Sequence, residues 1–282
     1  MSDEKTMMQN KEKYLKQIKA FRLIDDTFMT AVFADDIPCT ELLLSVILEK
    51  NLKVSEVHTQ YTLKNLHGHS VRLDILAVDN DGKLYNIEVQ RSDAGAYKKR
   101  ARYNSSMIDA NNFDAGEDYK NLPESYVIFI TENDVLEKGK PIYHINRYIK
   151  ETGELFDDGQ HIIYVNSQVQ DETALGRLMY DFYCTDAKNM NYDVLAEKVN
   201  YFKETEKGVN SMCRGMEILC NEAAAEAAAE AAAKTKAEDI RSAIEICQEY
   251  GATMADTVEK IVRKFNISEN DAKNKVREFW AI

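Results

Sequence analysis

The turn Asn80-Asp81-Gly82 separates two segments in which apolar and polar residues alternate, SVRLDILAV and LYNIEVQ. Such alternation predicts two β-strands. A three-residue loop with glycine in the left-handed position predicts that they form a hairpin. Counting outward from this loop places Asp74 directly opposite Glu88. A slip of one residue would move Asp74 to the other face of the sheet, so the prediction depends on the loop.

Two carboxylates on one face of a hairpin repel each other unless something neutralises them. Gln90, two residues beyond Glu88, lies on the same face. Buried carboxylates need a partner or a metal, and Mg²⁺ often binds one or two carboxylates together with substrate phosphate. The pattern alone also allows a solvated face, or a pair between Arg72 and one of the acids. The residues around Asp74 and Glu88 predict a half-buried site, because they are apolar: Leu73, Ile75, Leu76, Ile87 and Val89.

The remaining segments predict an α/β domain followed by helices. Apolar residues recur at helical spacing up to about residue 53, and the chain from about residue 172 reads as helix only. The strand-like segments between them are VSEVHTQYTL, SVRLDILAV, LYNIEVQ, SYVIFIT and HIIYVN, with AYKKRARYNSSMIDANNF as a helix. We expect four parts: a polar segment 1–20, the α/β domain 21–207, a long Ala/Glu-rich helix or spacer 208–238, and a small helical module 239–282.

Charge and cysteine content restrict the function. The formal net charge of −12 opposes nucleic-acid binding unless positive charge is concentrated locally. Five scattered cysteines without a CxxC pair argue against a disulfide framework and against a zinc ribbon. There is no apolar run of about 18 residues and no apolar core of a signal peptide, so we expect a cytoplasmic protein without membrane contact. One dense basic cluster is present: Arg91, Lys98, Lys99, Arg100 and Arg102.

The stretch RLDILAVDNDGKLYNIEVQRSDAGAYKKRARYNSSMID resembles the core of PD-(D/E)XK nucleases. More closely, it is similar to the bacterial PD-(D/E)XK nuclease family transposases, which are related to recombination-promoting nucleases. The segments LIDDTFMTAVFADD, YVIFITENDV and GQHIIYVN are similar to the same family, so the resemblance covers roughly residues 20 to 215. It implies a central mixed sheet flanked by helices, built on an αβββαβ core, here with an all-helical C-terminal tail.

The resemblance also implies a catalytic site. Asp74 and Glu88 would bind Mg²⁺ or Mn²⁺ together with the backbone carbonyl of Val89. Gln90 stands where most relatives have lysine, and glutamine can orient a water molecule but cannot act as a general base. The proline of the motif is replaced by Leu73, at a position that contributes backbone shape.

Softer candidates surround this site. Arg100 and Tyr103 would approach the scissile phosphate, or else Tyr103 packs in the core and Arg100 is solvated. Glu41 would be a further acid supplied by the first core helix, or simply an acid at a helix N-terminus. The other substrate-binding candidates, which the sequence equally allows to be a solvated face, are Lys98, Lys99 and Arg102.

The implied function is a divalent-metal-dependent DNA endonuclease that hydrolyses phosphodiesters with a metal-activated water, associated with transposition or recombination. The alternative is a catalytically degenerate nuclease fold that acts as a DNA-binding or protein-interaction module. The last helices allow a helix-turn-helix or a protein-contact tail. Their nearly balanced charges favour a structural or regulatory tail, and they leave open a homo-oligomer formed through the C-terminal helices.

Overall fold

The computed structural model describes residues 13–65, 68–92 and 95–280. Of the predicted polar segment, residues 1–12 lie outside the described residues, and residues 13–20 are helical. The chain forms two compact units, Met1–Arg214 and Gly215–Ile282. Within the described residues no helix is long and apolar enough to span a bilayer.

After the helical residues 13–20, helices α1, Asp26–Phe33, and α2, Ile37–Leu48, lead to the sheet. Asp36 caps α2 by accepting a hydrogen bond from the Cys39 N–H at 2.9 Å. Pro38 lies in the first turn, where backbone N–H groups have no carbonyl partner within the helix, so the missing N–H of proline costs no hydrogen bond. The buried side chains of both helices face the core.

A six-stranded sheet forms the centre of the first unit, in the order β1-β2-β3-β4-β6-β5. β3 and β6 flank β4 in parallel, whereas β1–β2, β2–β3 and β5–β6 are antiparallel. The predicted mixed sheet is therefore confirmed. The strands are β1 Val54–Leu63, β2 Val71–Asp79, β3 Leu84–Gln90, β4 Ser125–Thr131, β5 Ile142–Ile145 and β6 Gln160–Asn166.

Helix α3, Lys98–Asn111, connects the parallel strands β3 and β4 and gives the first unit its αβββαβ order. All seven residues of β4 are buried, as expected for a central strand covered on both faces. Ala101 and Ile108 of α3 pack in one cluster with Phe129 of β4. Strand β5 was not predicted, because it has only four residues at the edge of the sheet and none of them is buried.

Three further helices follow the sheet: α4 Ala174–Tyr183, α5 Asp193–Glu204 and α6 Glu206–Glu249. Buried Lys203 of α5 donates to the carbonyl oxygens of Lys19, Phe21 and Thr185, the last at 2.7 Å. This lysine therefore ties three separate chain segments together.

The second unit contains the later part of α6 with α7, Met254–Phe265, and α8, Glu269–Phe279. Thr253 and Ser268 cap α7 and α8 by accepting N–H groups three residues on. The Ala/Glu-rich helix was expected to end at residue 238, but α6 continues to Glu249, because no glycine or proline lies between Gly215 and Gly251. The core of this unit consists of Ile240, Ile244, Ile261, Ala272 and Val276.

Candidate active site

The hairpin of β2 and β3 has the predicted register. Ile75 pairs with Ile87, and Val78 pairs with Leu84. The Asp79 N–H donates to the Lys83 carbonyl at 3.1 Å, and Gly82 has a φ of 80°. The three-residue loop is thus confirmed, and Asp74 and Glu88 occupy the next step beyond the last paired residues.

The two strands part at this step. In a regular antiparallel ladder, hydrogen-bonded pairs recur every second residue, so Val89 would donate to the Leu73 carbonyl. Instead the Val89 N–H donates to Oδ2 of Asp74 at 3.0 Å. The Asp74 side chain therefore takes the place of a backbone acceptor, and one of its oxygens is held against β3.

Glu88 is fully buried under α3. Its Oε2 accepts a hydrogen bond from Nη2 of Arg100 at 2.6 Å. Its Oε1 accepts from Nδ2 of Asn86 at 2.9 Å and lies 3.4 Å from Nδ2 of Asn104. Asn86 shares the face of Glu88 because strand side chains alternate. Arg100 and Asn104 are four residues apart and so lie on one side of the helix.

The two carboxyl groups are only partly neutralised. Burial raises the pKa of Glu88, the Asp74 charge raises it further, and Arg100 opposes both effects. Burial also raises the pKa of Asp74, where the Val89 N–H acts in the opposite direction and the Asp26 charge adds to the rise. Both groups thus hold their protons more tightly than usual, which indicates too little positive charge for buried Glu88 and half-buried Asp74.

Unused acceptors lie beside this pair. Among the described residues, Asn86 Oδ1 and Asn104 Oδ1 are buried without a hydrogen-bond partner. Buried polar atoms normally have one, and both amides already bond to Glu88. The site therefore contains several oxygen atoms that can coordinate a cation, and oxygen is the ligand atom that Mg²⁺ and Mn²⁺ prefer.

No set of three or more His, Cys, Asp or Glu side chains in the described part of the chain is close enough to hold a metal alone. Mg²⁺ does not need such a set, since it commonly binds one or two carboxylates and completes its shell with water and substrate phosphate. Asp74 and Glu88 fit that mode of binding.

The acid from the first helices is not the one considered from sequence. Glu41 accepts from Lys53 Nζ at 3.1 Å and from the Val54 N–H at 3.0 Å. Val54 pairs with Asp79, so Glu41 lies at the turn end of the hairpin, about 17 Å along the strand from Asp74. Exposed Asp26, the first residue of α1, is the acid whose charge acts on Asp74.

Gln90 lies at the end of β3, half-buried and against Gly95. A Cβ added to Gly95 would meet Oε1 of Gln90 at 1.7 Å, so the absence of a side chain there makes room for the glutamine. In the described residues the Gln90 side chain has no hydrogen-bond partner. Gly95 also accepts from Nη1 of Arg100 at 2.8 Å, which places Gln90 and Arg100 on either side of one residue.

The basic residues of α3 divide into two groups. Arg100 turns inward to Glu88, whereas Lys98, Lys99 and Arg102 are exposed and have no acidic partner within the described residues. A surface cleft of ≈ 680 Å³ is lined by Tyr97, Lys98, Lys99, Arg100, Asp134, Val135 and Glu137.

Two other candidates from the basic region are occupied elsewhere. Arg91 forms ion pairs with Asp25 at 2.9 Å and Glu132 at 3.0 Å. The Tyr103 hydroxyl donates to the His69 carbonyl at 2.5 Å and accepts from Nδ2 of Asn65 at 3.0 Å. Tyr103 is therefore bound to the β1–β2 connection, and its ring is neither in the core nor on Glu88.

A model of the PD-(D/E)XK nuclease family transposase matches residues 32–244. The chain belongs to this family. Among curated proteins and among solved structures, none matches the chain. Membership in the PD-(D/E)XK nuclease family supports a nuclease-type function, and it confirms the resemblance that the sequence carried. The matched region contains the hairpin and α3, whereas α7 and α8 lie beyond it.

Within this PD-(D/E)XK family member, sequence reasoning missed Asp26, Asn86 and Asn104. A signal for Asn86 existed, because alternation places it on the face of Glu88 in an otherwise apolar strand. Asn104 also carried one, since it follows Arg100 by one helical turn. Asp26 had no such signal, because only the packing of α1 decides which acid approaches Asp74.

Proposed function

We propose that this protein is a divalent-metal-dependent endonuclease that hydrolyses phosphodiester bonds in DNA. Asp74 and Glu88, with the backbone carbonyl of Val89, would hold Mg²⁺ or Mn²⁺. The observation that carries the proposal is the pair of partly neutralised carboxyl groups, buried Glu88 and half-buried Asp74, where β2 and β3 part. A bound divalent cation supplies the missing positive charge, lowers the pKa of water and stabilises charge developing on phosphate.

The surrounding side chains have separate roles in this proposal. Asn86 and Asn104 fix one oxygen of Glu88, and the Val89 N–H fixes one oxygen of Asp74. Their hydrogen bonds hold both carboxylates in position before the cation arrives. The Gln90 amide, which has no hydrogen-bond partner among the described residues, orients the attacking water by hydrogen bonding but does not accept the proton.

Arg100 connects the acid pair with the surface. It bonds to Glu88 and lines the same cleft as exposed Lys98 and Lys99. In a chain of net charge −12, exposed cations that have no acidic partner in the described part of the chain favour the approach of an anionic substrate to the two acids. We therefore assign Lys98, Lys99, Arg100 and Arg102 to phosphate contacts, and we assign Tyr103 to the support of the β1–β2 connection beside them.

The experiment is a plasmid-cleavage time course with Mg²⁺, with Mn²⁺ and with EDTA, for the wild type and for Asp74→Ala. Cleavage by the wild type should require metal and should fall by more than about a hundredfold in Asp74→Ala, because even outer partners of metal ligands cost about 10–100-fold. Thermal melts with and without Mg²⁺ test binding separately, since a bound cation raises the melting temperature.

A non-catalytic DNA-binding or protein-interaction fold is the second candidate. Two observations favour it: Gln90 cannot act as a base, and Arg100 already pairs with Glu88. The second candidate would be supported if the wild type cleaves DNA with neither metal and if neither metal changes its melting temperature. Cleavage that persists in Asp74→Ala would place the reaction at another site or in a contaminant.

A further inference from the structure

Helix α8 carries an outward stripe without acidic residues. Its buried face consists of Ala272 and Val276. At about 100° per residue, Asn270, Lys273, Asn274 and Arg277 fall together on the opposite side, within an arc of about 100°. All four are exposed. The acidic residues of the helix lie on its flanks: Glu269, Asp271 and Glu278.

The stripe has free hydrogen-bonding capacity. Glu269 holds Lys273 at 2.6 Å from one flank, and Lys275 pairs with Glu278 at 2.8 Å off the stripe. Among the described residues, Asn270, Asn274 and Arg277 have no hydrogen-bond or ion-pair partner. Two amides and a guanidinium therefore point to solvent from one helix face.

Helix α8 is held in place by a short connection to α7 and by a shared apolar core. Three residues connect α7 and α8, and the first, Asn266, is left-handed with a φ of 49°. Both helices and the end of α6 share one apolar core. Two helices joined by a short turn, with the second fixed through one face, share these two features with the helix-turn-helix module.

We propose that α8 is a recognition helix that inserts into the major groove of double-stranded DNA, forming a second DNA-binding site apart from the acid pair. Asparagine amides match the edge of adenine, and arginine matches the edge of guanine. In α7 the exposed cations Lys260, Arg263 and Lys264 outnumber Asp256 and Glu259 by one, so the charges of the two helices nearly balance and the proposal rests on the composition of the stripe. The proposal concerns residues outside the matched family region and does not depend on nuclease activity.

The composition of the stripe favours DNA over a protein partner. Centres of protein interfaces contain aromatic and apolar anchors and few charged residues, and this stripe contains no apolar side chain. Its cations and amides occur in a chain of net charge −12, where acidic residues outnumber basic ones 48 to 36. A stripe with two cations and no acid of its own, although Glu269 pairs with Lys273 from the flank, is therefore a local departure that complements the charge of a duplex.

The test uses the full-length protein in EDTA, so that no duplex is cut. Preferred sequences are first selected from a random duplex pool, and affinities are then measured by fluorescence anisotropy at several salt concentrations. Arg277→Gln should weaken binding to the selected duplex about tenfold. Asn274→Ala should remove the selected preference at one base position and leave binding to unrelated duplexes unchanged.

Lys275→Gln is the matched control, because it removes one charge from the same helix but off the stripe. It should leave base preference unchanged and cost less affinity than Arg277→Gln. Equal losses in both variants would reduce the effect to net charge and overturn the proposal. Unchanged binding in Arg277→Gln and Asn274→Ala would also overturn it. So would sedimentation showing that these variants differ from the wild type in oligomeric state, because the stripe would then be an interface between copies of the chain.

Discussion

Acidic side chains are buried at both ends of the β2–β3 hairpin, but the hydrogen-bond donors and charges around them differ. At the turn end, Oδ1 of Asp79 accepts from the Asp81 and Lys83 N–H groups at 2.9 Å each. Its Oδ2 accepts from the Tyr85 hydroxyl at 2.8 Å. At the open end, Asp74 and Glu88 share one step of the hairpin, and each raises the electrostatic cost of ionising the other.

A second acid at the turn end follows the same logic as Asp79. Burial alone would raise the pKa of Glu124, but hydrogen bonds from Lys83 and Tyr126 outweigh it and hold the pKa at about 2. His161 Nε2 lies 3.0 Å from the same carboxylate. Hydrogen-bond donors within the protein therefore stabilise the negative charges at the turn end. At the open end the two acids lack enough positive charge around them, so a cation would stabilise them. Incomplete neutralisation, more than burial, distinguishes the candidate site.

The largest predicted difference between the two ends is in cleavage. Glu88→Gln should lower the initial rate of Mg²⁺-dependent plasmid cleavage by more than about a hundredfold, because it removes a metal ligand. Asp79→Asn should leave the rate per folded molecule nearly unchanged. Rates are normalised to the folded fraction by circular dichroism. Similar losses in both variants would mean that the hairpin matters only as a scaffold.

The second prediction concerns stability without metal, where the two ends should respond with opposite signs. Asp79→Asn weakens three charge-assisted hydrogen bonds and should cost about 2 kcal/mol, or roughly 4–8 °C in melting temperature. Asp74→Asn keeps an acceptor for Val89 but removes the repulsion of Glu88, and should gain about 1 kcal/mol. Added Mg²⁺ should raise the melting temperature of the wild type but not of Asp74→Asn. A loss of stability in metal-free Asp74→Asn would contradict the repulsion.

The third prediction is a stability maximum in mildly acidic solution for the metal-free protein. Folded Glu88 and Asp74 keep protons that the unfolded chain releases at its ordinary pKa values of 4.5 and 3.8. These groups therefore lower the free energy of unfolding as pH rises from 3.8 to about 6 for Asp74 and from 4.5 to about 8 for Glu88. Glu124 does the reverse: its contribution is lost as pH falls from 4.5 to about 2.

Urea unfolding at a series of pH values in EDTA measures both limbs of this profile. Glu88→Gln should flatten the limb above pH 4.5, and Glu124→Gln should flatten the acid limb. Parallel profiles for the wild type and Glu88→Gln would show that Glu88 ionises in the fold at no extra cost.

The smallest effects are expected at Gln90. Gln90→Lys should keep or raise the cleavage rate, and Gln90→Ala should slow it about tenfold, since water orientation is lost while the metal ligands remain. Gly95→Ala should slow cleavage in the same way, because its new Cβ displaces the Gln90 amide. Gly215→Ala, where a Cβ meets nothing within 4 Å, is the control and should leave the rate unchanged. Undiminished cleavage in Gln90→Ala would remove this residue from the mechanism.

The sequence predicted the hairpin well because its information is local. A three-residue loop and strict alternation fix the register, so the shared step of Asp74 and Glu88 followed from counting. Strand β4 was equally clear, since a continuous apolar run of five residues, Tyr126 to Ile130, suits a strand covered on both faces. Short β5 was missed, because an edge strand of four residues carries too little pattern.

The missing parts of the site depend on tertiary packing. Both Asp26 and Glu41 lie near the start of a helix before the sheet, and nothing local says which approaches Asp74. Arg100 was weighed as a phosphate contact or a solvated residue, whereas its side chain bonds to Glu88. That contact depends on how α3 lies across β3, which the spacing of α3 residues alone does not determine.

The position of Arg100 on helix α3 affects the order in which Glu88 is buried and neutralised during folding. A hairpin closes within about 1–10 μs, whereas the chain leaves the ribosome at about 5–20 residues per second. The nascent hairpin can thus bring Asp74 and Glu88 together before Arg100 has emerged. In open water their repulsion is weak, about 1 kcal/mol at contact distance. The helix that covers Glu88 also carries Arg100, so the acid loses its water and gains its counter-charge in the same folding event.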